Sequence, residues 1–235
     1  MVDVRFAAAA LFVWTTISSA HADVFELGGY IGRTSSTMTQ TTMCSLLDGS
    51  PPGMCEGQAH EGRNAFSVGA VGRYPILRPL LVEVDLLYSQ KGYEVTTPTF
   101  HVDYLELPIL LRIDPARVLS PVRVFIEGGL APAMRAHCND SGATIVENGV
   151  PAMSRPYSVD CGDDRNQFPA MYWPARFDLG GVIGGGFGWD FPFGEIELDL
   201  RYTQGLVDNG AWGPAGKTVN KTTYLMLGFA RRTER

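Results

Sequence analysis

From Gly194 onward apolar and polar residues alternate without a break: Ile196, Leu198, Leu200 and Tyr202 fall on one face of a strand, Glu195, Glu197, Asp199 and Arg201 on the other. The same period of two recurs where Val82, Val84, Leu86 and Tyr88 alternate with Glu83, Asp85 and, further on, Ser89 and Lys91. Eight such segments are predicted, over about 23–33, 65–74, 80–92, 101–113, 121–131, 175–189, 194–204 and 222–231, with turn signals between them and no amphipathic helix. Three connections are tight and rich in proline, glycine or aspartate (75–79, 114–120 and 190–193), and four are long (34–64, 93–100, 132–174 and 205–221). An even number of strands, with tight turns and both chain ends on one side and long loops on the other, predicts an all-β fold: an eight-stranded antiparallel up-and-down transmembrane β-barrel with long extracellular loops.

Alternation alone does not say which face is inside, because a soluble eight-stranded barrel is charged outside and apolar within. Three features turn the charged face inward. Ions stand on it in most strands: Glu26, Arg73, Glu83, Asp85, Glu106, Arg112, Arg123, Glu127, Arg176, Asp178, Glu195, Glu197, Asp199 and Arg201, with Lys91. The same face carries Gly28, Gly32, Gly69, Gly129, Gly180, Gly184 and Gly186, as if large charged neighbours in a narrow lumen needed room. The apolar face ends in aromatics (Tyr74, Tyr88, Trp189, Tyr202, Phe229), as a membrane-interface girdle would. The stretch from Arg176 to Phe191 is explained in the same way. Its glycines lack the G-x-G-x-x-G register of a dinucleotide loop, and its uncharged run is too short for a spanning helix. What remains is a strand with Phe177, Leu179, Ile183, Phe187 and Trp189 outward.

The amino terminus adds a compartment. Arg5 precedes the apolar run Phe6 to Trp14, and Ala20-His21-Ala22 is a small-x-small cleavage site, so residues 1–22 read as a secretory signal and 23–235 as one barrel domain. A formal charge of −6 without a Lys/Arg cluster argues against nucleic acid as a partner. Cys44, Cys55, Cys138 and Cys161 lack the close pairs of zinc sites, and in an exported chain disulfides are the default. Each pair flanks one connection, which predicts Cys44 with Cys55 and Cys138 with Cys161.

The blocks "LLYSQKG" (86–92), "DYLELPILLRI" (103–113), "FDLGGVIGGGFGWDF…GEIELDLRYTQGL" (177–206) and "YLMLGFARR" (224–232) resemble the PorT-like outer-membrane β-barrel domain family and follow its order. The resemblance implies an eight-stranded barrel in a Gram-negative outer membrane, a setting in which some related proteins serve in secretion. The chain departs from it at the end, where Phe229 is followed by Ala230 and "RRTER" rather than closing on an aromatic. The family pattern carries a proline at Pro108, which predicts a local bulge rather than a broken strand.

No catalytic signature stands out. Glu83 with Asp85, and Glu195 with Glu197 and Asp199, suit structural pairing with lumen arginines better than acid/base chemistry, since buried charges must be paired. His101 and Asp103 could orient one another as a base, but no G-x-S-x-G context accompanies them. Asp160, Asp163, Asp164 and Asn166 offer calcium-type oxygens without the loop spacing of a calcium site, and "FPAMYWP" (168–174) reads as a loop folded onto the membrane rim. His60 and His137 fall in long loops. No metal or cofactor is assigned. The expectation is a monomeric, non-enzymatic outer-membrane barrel whose partners are outer-membrane lipid and an extracellular or periplasmic protein. Its role is surface interaction, envelope integrity or help in secretion, and a narrow channel or small-solute transporter is the alternative.

Overall fold

The computed structural model describes residues 25–44, 53–56, 61–94, 99–115, 122–142, 145–147, 150–152, 157–160, 175–208 and 216–233. The predicted signal, the segments around Asp48 and Asp163, His60, Asp164, Asn166, Cys161 and the aromatic stretch 168–174 lie outside these residues. The strands are β1 (Phe25–Cys44), β2 (Gly53–Glu56), β3 (Glu61–Leu77), β4 (Leu80–Glu94), β5 (Thr99–Glu106), β6 (Ile109–Ile113), β7 (Val122–Gly142), β8 (Ile145–Glu147), β9 (Val150–Ala152), β10 (Tyr157–Asp160), β11 (Phe177–Phe191), β12 (Gly194–Gly205) and β13 (Gly216–Thr233).

All pairings are antiparallel, and the order β1, β3, β4, β5 with β6, β7, β11, β12, β13 returns to β1. With β5 and β6 in line as one stave, the sheet is a closed ring of eight. The closing ladder runs from Phe25 opposite Thr233 to Thr42 opposite Gly216. The turns at Arg78–Pro79 and Pro192–Phe193 share an end with Phe25 and Thr233, as the spacing of the turn signals predicts. β2 adds to β1 and β10 to β7, while β8 and β9 pair with each other within the connection from β7 to β11.

Side chains alternate in the membrane sense. Ile31, Leu111, Ile126, Ile183, Leu200 and Leu227 are exposed on the outer wall, whereas charged residues are buried within. Tyr74, Trp189, Tyr202 and Phe229 are exposed on the same wall, and Phe191, Phe193 and Phe229 stack in sequence beside the 190–193 turn. The interior also takes apolar residues: Val71, Leu81, Leu87, Leu110, Phe125, Val182 and Met226 are buried there.

Two expectations are corrected. The segments predicted as loops at 34–64, 132–174 and 205–221 are partly strand, so β1, β7 and β13 reach 20, 21 and 18 residues, against the roughly 9–11 that cross a bilayer. In β1 the continuation "TSSTMTQTT" is rich in β-branched threonine and, apart from Met38, polar on both faces, so the apolar period ends while the ladder continues. Pro108 also makes no bulge. Register is kept from Leu87 opposite Glu106 to Val84 opposite Ile109 and, on the other side, from Ala133 opposite Glu106 to Leu130 opposite Ile109. The Asp85 amide donates to the Pro108 carbonyl at 3.0 Å and the Leu107 amide to the Pro132 carbonyl at 2.8 Å, so each proline keeps its acceptor and omits only its donor. The register shift in this stave lies instead between Asp103 and Tyr104, against β7.

Candidate functional site

The interior is built by register. Glu26 on β1 and Glu83 on β4 lie opposite Arg73 on β3, and Arg112 on β6 lies opposite Glu127 on β7. Longer reaches cross a glycine. Gly184 stands in the ladder between Glu127 and Arg201, and Gly228 stands between Glu197 and Tyr30. A Cβ at Gly184 would come 2.9 Å from Arg201 Cγ, and one at Gly228 would come 2.6 Å from the Tyr30 ring and 2.7 Å from Glu197 Cγ. Lacking that atom, each glycine lets side chains two strands apart meet. At Gly28, Gly32, Gly69 and Gly129 a Cβ would run into the neighbouring strand's backbone, so those positions serve close strand approach rather than room for charges.

Three arginines occupy the middle of the lumen. Arg73 donates through Nε to Glu83 at 2.5 Å, through Nη2 to the Tyr30 hydroxyl at 2.5 Å, and pairs with Glu197. Tyr30 in turn donates to Glu197 Oε1 at 2.5 Å. Arg112 lies on the face of Phe125, 3.4 Å from the ring centre, and reaches Glu197 at 2.9 Å and Glu83 at 3.3 Å. Arg201 contacts four carboxylates: Glu83 and Glu127 at 2.5 Å, Asp199 at 2.6 Å, and Asp85.

Toward the tight turns, Arg123 pairs with Glu195, with Asp190 at 2.9 Å and with Asp114 at 3.4 Å. Glu26 lies 3.9 Å from Arg73. Toward the long loops, Lys91 meets Glu106 at 2.9 Å between the rings of Tyr104 and Tyr224, and the Tyr224 hydroxyl donates to Glu106 at 2.8 Å. Higher still, Asn220 donates to Asp178 at 2.6 Å.

Of the sequence-predicted lumen ions, Glu26, Arg73, Glu83, Asp85, Glu106, Arg112, Arg123, Glu127, Asp178, Glu195, Glu197, Asp199 and Arg201 are buried. Arg176 is not: it precedes the first rung of β11 and is exposed. There its carbonyl accepts from the Arg135 amide at 2.8 Å, beside a cavity of about 450 Å³ lined by Arg135, His137 and Phe177 among others. Sequence reasoning missed Tyr30 and Asp114. Tyr30 shares the inward parity of Glu26, Gly28 and Gly32, a signal that was present; Asp114 sits in the tight connection, where parity gives none.

The suggested base and orienter, His101 and Asp103, lie on one face of β5. Asp103 stands opposite His137 in the ladder and accepts from the Tyr88 hydroxyl at 2.6 Å, while His101 stands opposite Asn139. Cys138 is buried and is not a free thiol. The side chains of Cys44, Cys55 and Cys161, and hence both predicted pairings, lie outside what is described, as do those of Asp160, Asp163, Asp164 and Asn166.

Among known proteins, the model of the outer membrane protein β-barrel domain matches residues 20–209. Among solved structures the chain is similar to Neisserial surface protein A, with 13% identity, 89% of this chain and 98% of that chain covered, and a TM-score of 0.47. It is similar to OprG of Pseudomonas aeruginosa with 14% identity, 87% and 96% covered, and 0.40. For the outer membrane protease OmpT of Escherichia coli the values are 7% identity, 92% and 98% covered, and 0.50. At such identities the likeness concerns fold alone. No curated protein matches the chain.

Proposed function

Because the chain belongs to the outer membrane protein β-barrel domain family, and with it to the Gram-negative outer membrane, we propose that it is a non-enzymatic surface or envelope protein rather than a conduit. The observation that carries this reading is the middle of the lumen, where Arg73, Arg112 and Arg201 interlock with Glu83, Asp85, Glu127, Glu197 and Asp199, all buried. An eight-stranded barrel is just wide enough for its side chains to fill, so a continuous ionic plug leaves solute no path. The strands that continue past the membrane support a role at the surface: β1, β7 and β13 lift the long connections clear of the bilayer. They present these to an extracellular partner from a barrel that stands as a monomer in lipid.

An enzymatic role has less support, since Asp103 is held by Tyr88 and no described group joins it as a nucleophile. Within the family, the blocks at 86–92, 103–113 and 177–206 favour the PorT-like branch, and help in secretion would follow from that placement.

The test is electrical. The purified monomer in planar bilayers gives no sustained conductance. Steady single-channel currents, altered by Arg112→Ala or Arg201→Ala, would instead make it the narrow channel.

A further inference from the structure

We propose that Glu83, Glu127 and Asp199 form a buried site for one hard divalent cation in the middle of the lumen. The first ground is charge. The central layer holds five carboxylates (Glu83, Asp85, Glu127, Glu197, Asp199) against three guanidinium groups (Arg73, Arg112, Arg201), all buried. Two negative charges are left over where water does not screen them, and burying an uncompensated charge is costly. One divalent ion brings the layer to neutrality.

The second ground is unused oxygen. Arg201 contacts this group, with Nε 2.5 Å from Glu127 Oε1, yet Glu127 Oε2, Asp199 Oδ1 and the Oδ1 of Asp85, another partner of Arg201, have no hydrogen-bond partner. Buried polar atoms are paired as a rule, and a group of orphaned carboxylate oxygens is what a bound ion explains.

The third ground is distance. One oxygen each from Glu83, Glu127 and Asp199 lies within 4.8 Å of the others. Two oxygens on opposite sides of a calcium ion, at about 2.3–2.6 Å each, are about 4.6–5.2 Å apart, so a limit of 4.8 Å lets one ion span all three carboxylates. An all-oxygen, carboxylate-rich set selects calcium, magnesium or manganese over softer metals. Because the plug closes the lumen on both sides, the ion enters as the barrel folds.

The experiment is to refold the full chain into detergent with Mn²⁺ or with a chelator, desalt it, and measure bound manganese by metal analysis and electron paramagnetic resonance. The expected result is roughly one equivalent per folded barrel and a higher melting temperature than the chelator-refolded protein, since an ion bound only by the folded state stabilises it. Glu127→Gln retains about tenfold less metal or lower, and Glu106→Gln, which alters the separate pair with Lys91, retains as much as the wild type. Should Glu127→Gln not reach the folded, heat-modifiable form, Asp199→Asn gives the same comparison. Failure of the wild type to retain Mn²⁺, Ca²⁺ or Mg²⁺ after refolding in millimolar metal, or equal retention by Glu127→Gln, overturns the site and leaves protons to balance the layer.

Discussion

At the scale of single residues, a lumen position matters according to whether neighbours close over it. Arg201 contacts Glu83, Asp85, Glu127 and Asp199 from full burial, so Arg201→Ala strands several carboxylates and should lower stability by about 3–5 kcal/mol. Arg123→Ala should do the same on a smaller scale, because Asp190, one of its partners, is half in water. Arg176→Ala, at an exposed position, should stay within about 0.5 kcal/mol. Urea unfolding of the detergent-folded barrel measures all three, and a large loss at Arg176 would show that the outer mouth is as enclosed as the middle. Gly228→Ala puts a methyl against Tyr30 and Glu197, and overpacking of that kind should cost about 1–3 kcal/mol. The inward parity of these ions is legible in the sequence because apolar and charged residues alternate from Val82 to Leu86 in β4 and from Glu195 to Tyr202 in β12. Tyr30 has the same parity, but parity does not separate a hydroxyl at the centre of an ionic network from an inward apolar ring such as Phe125.

At the scale of elements, the strand cores were legible and their outer ends were not. Apolar alternation marks only where a strand meets lipid, and the polar halves of β1, β7 and β13 satisfy the same hydrogen-bond ladder without it. Pro108 departs from expectation for a related reason: a missing donor forces no extra residue, because the ladder tolerates one absent bond beside the intact Asp85 to Pro108 contact. Pro108→Ala therefore restores a donor facing the Asp85 carbonyl, and the variant should be as stable as the wild type or firmer by up to about 1 kcal/mol. Cleavage and mapping without reductant should link Cys138 to Cys161 and Cys44 to Cys55; a link between Cys44 and Cys138 would mean that the first and third long connections meet above the barrel.

At the scale of the whole molecule, Phe25, Thr233 and the Arg78–Pro79 and Pro192–Phe193 turns share one end of the barrel, and the expected orientation puts that end in the periplasm and the extended strand ends outside. Protease added to intact cells should cut in the connections after β1 and β7 and leave the tight turns whole; cuts at the turns would invert the orientation. The closing ladder carries a consequence for biogenesis. β1 finds one of its two neighbours in β13, the last of the described strands in chain order, across eighteen rungs. Until that strand is in place, the chain has two raw edges and a row of ions with no wall to hide behind. A half-finished sheet therefore leaves its ions and edges uncovered, which favours closing the ring and burying the ions in a single step.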